Sequence, residues 1–164
     1  MTKRLILMRH AKSSWNAPLA DHERTLNARG RRSAEAVGDW LRERGYHPDQ
    51  AFISTSMRTR DTFYLLKLDM PEAATHYKER LYHAAPEVFF NVLKSATGQA
   101  VLIIAHNPGI AEFAERVAKT RPQHIGFEHY PTCATWVADF DIKDWSALQM
   151  HSGRTTDFCV PREL

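Results

Sequence analysis

His10 and His106 each stand directly behind a short apolar run, His10 after Leu5 to Met8 and Arg9, His106 after Val101 to Ala105. A neutral imidazole is a competent nucleophile, but a lone histidine at a strand end is more often satisfied by a backbone carbonyl and merely structural. Its neighbours therefore decide. Arg9 precedes His10, and Arg58 lies in the segment STSMRTRDT behind a third apolar stretch, Ala51 to Ile53. Ala11 to Asn16 add a polar loop suited to surrounding a small anion. Arg9, Arg58 and His106 facing one imidazole would crowd positive charge unless an anion neutralised it. Guanidinium groups bind phosphate oxygens bidentately through charge-assisted hydrogen bonds. A phosphoryl group is the expected occupant.

The elements that must bring these residues together can be read from the apolar pattern. Continuous short runs such as Leu5 to Met8 and Val101 to Ala105 match strands buried on both faces of a parallel sheet. After Asn27, a good N-cap, Ala34, Val37 and Leu41 share one helical face until Gly45 stops the helix. Ser54 or Thr55 is expected to cap a helix carrying Arg58 in its first turn. Pro86 opens a helix with Val88, Phe89, Val92 and Leu93 inward, and Asn107 and Pro108 start another before Ala111, Ala114 and Ala118. Trp136, Ala138 and Phe140 alternate with Thr135, Val137 and Asp139, and Trp145 to Met150 is expected to return as a neighbouring strand at one sheet edge. The sum is one three-layer α/β domain over residues 1–164, a mostly parallel sheet with helices on both faces. Ligand sites in such sheets lie at the carboxyl ends of the strands, where His10 and His106 fall.

Composition narrows the partners. With 43% hydrophobic and 25% charged residues the chain is ordinary globular protein, and its net charge of +3 is scattered among acids, which disfavours nucleic acid. Cys133 and Cys159 form no CxxC pair, no run approaches a membrane span, and the start is too short in apolar residues for a signal peptide, so a cytoplasmic protein is expected. The remaining histidines, His22, His47, His76, His124, His129 and His151, show no HExxH spacing or cysteine partners, so neither a metal nor another cofactor is expected.

Taken together, RHAKSSWN from Arg9 to Asn16, S-x-S-x-R ending at Arg58, and HNPG from His106 to Gly109 resemble the motifs of the histidine phosphatase superfamily. Ala11 in place of the usual glycine, with R-x-L-N-x-x-G at Arg24, Leu26, Asn27 and Gly30, resembles the SixA-like branch of short phosphohistidine phosphatases. The resemblance implies a phosphoglycerate mutase-like fold with an antiparallel edge. It implies His10 as nucleophile, Arg9, Arg58 and a protonated His106 as the phosphate pocket, and Asn16 as an extra contact. It also implies a metal-independent phosphohydrolase that passes through phosphohistidine, acting on phosphohistidine in a protein, with a small phosphoester as the alternative substrate. Relatives that cleave phosphate esters carry a glutamate in an R-L-x-E context, whereas Arg80, Leu81 and Tyr82 lead here into His83. His83 could transfer the proton or be an ordinary loop residue, and Glu79 and Glu87 flank it out of register. A silent phospho-ligand binder is the non-enzymatic alternative, and the lack of long insertions to enclose a substrate argues against a mutase.

Overall fold

The computed structural model describes all 164 residues. Four parallel strands form one half of its sheet: β1 (Lys3–Arg9), β2 (Gln50–Ser54), β3 (Thr75–Lys78) and β4 (Ala100–Ala105). The other half holds β5 (Ala118–Thr120), β6 (Thr135–Phe140) and β7 (Gly153–Cys159), and the strand order is β3-β2-β4-β1-β6-β7-β5. Only β6 runs against its neighbours, pairing antiparallel with both β1 and β7. The central strands are apolar without interruption because successive side chains enter different cores. Leu5, Leu7, Val101 and Ile103 pack under α3 (Pro86–Lys94) and α4 (Gly109–Val117). Ile6, Met8, Leu102 and Ile104 pack under α1 (Ala28–Arg44) and α2 (Met57–Leu66). A short α5 (Gly126–His129) precedes β6.

Several local expectations hold. Asn27 caps α1 by accepting from the Gly30 N–H at 2.8 Å, and Gly45 ends it at φ 74°. Others are corrected. Ser56, rather than Ser54 or Thr55, caps α2, accepting from the Thr59 N–H. Asn107 is not a cap: its side-chain amide donates to the His129 and Tyr130 carbonyls, and α4 starts at Gly109 without a side-chain cap. Trp145 to Met150 is not a strand, because Trp145–Ala147 forms a 3-10 turn whose indole N–H donates to the Gly98 carbonyl at 2.8 Å. The returning strand is β7, and β5 pairs outside it. No helix is long and apolar enough to cross a membrane.

Candidate active site

Parallel pairing of β1 with β4 sets Arg9 opposite Ala105, so the two strands deliver His10 and His106 side by side with ring centroids 5.1 Å apart. The turn after β1 is pinned. The His10 N–H donates to the Ala105 carbonyl at 3.1 Å, and the Cys133 N–H is shared between the Arg9 and His10 carbonyls. His10 Nδ1 lies 2.7 Å from the Ala11 carbonyl, a contact only an N–H can make favourably, so the proton sits on Nδ1 and Nε2 keeps its lone pair. Burial pushes the His10 imidazole down to about 3; the Ala11 bond opposes this, and the charges of Arg58, Arg9 and Arg24 reinforce it. The ring is therefore neutral and nucleophilic across the physiological range.

Arg58 reaches the same point from the first turn of α2 and is 3% exposed. Its two terminal nitrogens donate to the Asp21 carbonyl at 2.8 Å and the Asp21 carboxylate at 3.1 Å, and one also approaches His106 Nδ1 at 3.4 Å. Arg9 donates to the Tyr130 carbonyl at 3.2 Å. Arg9 Nε and Arg58 Nε are buried donors with no partner. Buried donors are almost always satisfied, so two unsatisfied guanidinium nitrogens on residues that line one cavity are an unusual concentration of unspent donor capacity. His106 Nε2 pairs with Ser54 Oγ at 2.8 Å, which explains why Ser54 does not cap α2. Burial pushes His106 down to about 2; sharing a second proton with the adjacent His10 ring would be repulsive, and the charge of Arg58 adds to the effect. The pocket's own charges therefore favour neutral His106, and the imidazolium expected from sequence needs a phosphoryl group's charge to form. An arriving dianion supplies the missing counter-charge and favours the protonated ring.

The motif from Arg24 to Gly30 frames the loop behind His10. Arg24 donates to Ser13 Oγ at 2.6 Å and to Asp21 Oδ1 at 3.1 Å, Leu26 bridges to Ser13, and the Asn27 N–H donates to the Lys12 carbonyl. Gly30 approaches that carbonyl so closely that a Cβ would lie 2.0 Å from it. A similar contact fixes the far wall, where a Cβ on Gly109 would lie 1.9 Å from the Ala84 carbonyl. HNPG therefore brings the segment carrying His83 against the pocket as well as presenting His106.

The resulting cavity, about 270 Å³, is lined by Arg9, His10, Arg58, His106 and His83 among others. Asn16, expected as an extra contact, is exposed and is not among the residues that line the cavity. Glu79 is exposed outside it, and Glu87 pairs with Arg116 at 2.9 Å on the surface. His83 Nε2 sits 3.5 Å from Asp21, and its ring centroid is 5.9 Å from that of His106. Asp21 is the residue sequence reasoning missed. Its carboxylate accepts from Arg58, Arg24 and the Tyr82 hydroxyl, and it is held well below the usual carboxylate range, first by the Tyr82 hydrogen bond. It is ionised at neutral pH and has no proton to donate. Nowhere do three or more His, Cys, Asp or Glu side chains gather in a group that could hold a metal ion.

The family described as histidine phosphatase superfamily (branch 1) matches residues 5–85. A relative from Mycobacterium tuberculosis, itself uncharacterized, is 36% identical over 162 residues, covering 94% of this chain and all of its own. The chain belongs to the histidine phosphatase superfamily. Its likeness to the SixA-like branch runs the full length of this phosphatase. The candidate phosphohistidine phosphatase SixA from Agrobacterium tumefaciens superposes with a TM-score of 0.77 at 28% identity, covering 97% of this chain and 99% of the other. The candidate SixA from Nakamurella multipartitia superposes with a TM-score of 0.86 at 23% identity, covering 98% and 97%, and supports the fold.

Proposed function

We propose that this histidine phosphatase hydrolyses phosphohistidine in a protein by way of a phosphohistidine on its own His10. The observation that carries the proposal is the His10 ring itself, with Nδ1 committed to the Ala11 carbonyl and Nε2 unpartnered beside two orphaned guanidinium donors. In the first step the Nε2 lone pair forms a bond to phosphorus while the bond to the substrate's leaving nitrogen breaks. Arg9 and Arg58 receive the equatorial oxygens, where preorganised donors do most of the catalytic work, and His106 joins them once it carries a proton. Water then attacks phosphorus, inorganic phosphate leaves, and His10 is restored.

The leaving group supports phosphohistidine over a phosphate ester. An alkoxide departs poorly unless it is protonated, and the carboxylate in the pocket, Asp21, is ionised. Imidazole and activated phenolates leave with far less help. We expect kcat/KM to fall steeply with rising leaving-group pKa, with good turnover of phosphohistidine and activated aryl phosphates and little of alkyl phosphates. The same series in His83→Ala reads the remaining proton source. An unchanged slope makes His83 a bystander, whereas a shallow wild-type slope that steepens in the variant makes His83 the acid and favours a small-molecule phosphomonoesterase. Comparable rates on alkyl phosphates and phosphohistidine, unaffected by His83→Ala, would defeat the substrate proposal.

A further inference from the structure

A second cavity of similar size, about 270 Å³, adjoins the phosphoryl pocket, and Lys12 and Thr132 line both. Its other walls include Arg29 on the first turn of α1 and Arg162 on the 3-10 turn Pro161–Glu163, and no acidic residue lines it. Lys12, Arg29 and Arg162 take part in none of the protein's ion pairs. The turn that carries Arg162 is held in place: Glu163 pairs with His124 at 2.7 Å, and the Glu163 N–H donates to the Val160 carbonyl at 3.1 Å. Three unneutralised cations converging on one concavity focus a positive field, and here the field continues into the site that receives the phosphoryl group. A ligand that spans both cavities gains most if it carries a second negative charge.

Building on the phosphohistidine reading, we propose that this basic cavity is a second anion subsite that takes a carboxylate side chain of the phosphorylated protein. The two cavities share Lys12 and Thr132 as a common wall, so an extended peptide, at about 3.3 Å per residue, passes from one to the other within a few residues. A carboxylate there accepts charge-assisted hydrogen bonds from Arg29 and Arg162, with Lys12 between the two anions. A glutamine at the same place offers the same shape without the charge. The subsite therefore selects phosphohistidines with an acidic neighbour.

The test uses peptides bearing a non-hydrolysable phosphonate analogue of phosphohistidine, with Glu or Gln three residues away, as competitive inhibitors of p-nitrophenyl phosphate hydrolysis. Ki is measured for both peptides in wild type and in the double variant Arg29→Ala/Arg162→Ala. Wild type should bind the Glu peptide roughly tenfold more tightly, by analogy with a single charge-assisted hydrogen bond. The double variant should bring the ratio to about one. Because the ratio is taken within each protein, a general loss of activity cancels. Equal Ki values in wild type, or a preference that survives in the double variant, would overturn the subsite. A preference found only with small carboxyaryl phosphates and missing from the peptides would overturn its assignment to a protein. Failure of the matching phosphohistidine peptides to be hydrolysed, with the Ki ratio intact, would sink the proposed reaction and leave the subsite standing.

Discussion

At the scale of single residues the site is an argument about protons. His10 is neutral because it is buried among guanidinium groups, and Asp21 is ionised because three donors converge on it. Asp21 grips both terminal nitrogens of Arg58, one through its carbonyl and one through its carboxylate, and so fixes the guanidinium in the cavity wall. Removing Arg58 should lower kcat by roughly 10² to 10³, the usual effect of losing one donor to developing charge. Asp21→Ala should cost about 10-fold to 10²-fold by leaving Arg58 present but misdirected. The double variant should be little worse than Arg58→Ala alone, because both changes remove one arrangement. Multiplying effects in that cycle would show that Asp21 acts by another route.

At the scale of elements, glycines set how closely the loops approach. Gly109→Ala should destabilise the protein by about 1–3 kcal/mol in urea unfolding, since its Cβ would meet the Ala84 backbone rather than a movable side chain. An unchanged midpoint would mean that this wall yields freely. The same scale explains what could be read from sequence. β1 and β4 were legible because both cores demand apolar residues, and α1 because cap, stripe and stop all agree. β3, β5 and β7 were not. β5 has three residues, β3 is an edge strand of mixed side chains, and β7, between β6 and β5, presents mostly polar ones with no period to follow. The grouping of His10, Arg58 and His106 was legible because each stands just beyond a strand whose apolar run is unmistakable. Asp21 was not, because its partners Arg58 and Tyr82 lie 37 and 61 residues away and only the folded chain brings them to it.

For the whole molecule, the two buried neutral histidines tie stability to pH. Their folded values, about 3 for His10 and about 2 for His106, lie below the unfolded value near 6.5, so below that pH the unfolded chain binds more protons. Their contribution is complete above about pH 6.5 and is lost as pH falls toward their folded values, at about 1.4 kcal/mol per pH unit for each ring. Between pH 7 and 5.5 the pair should lower the unfolding free energy by about 2–3 kcal/mol. His106→Gln, which keeps a side-chain amide near Ser54, should remove about half of that loss. The carboxylate of Asp21 is shifted in the same direction, from a lower unfolded value, and so adds its own loss only below about pH 4. Urea titrations at the two pH values check this, and equal stability at both would mean that the rings are not held neutral.

The reaction itself is tested most directly by trapping its intermediate. Wild-type protein mixed with an activated aryl phosphate and quenched within milliseconds in alkaline denaturant should carry one acid-labile phosphate, and fragmentation should locate it on His10. His10→Ala should fold, bind no covalent phosphate and turn over no substrate. Phosphate on any other residue, or turnover that survives in His10→Ala, would contradict the account.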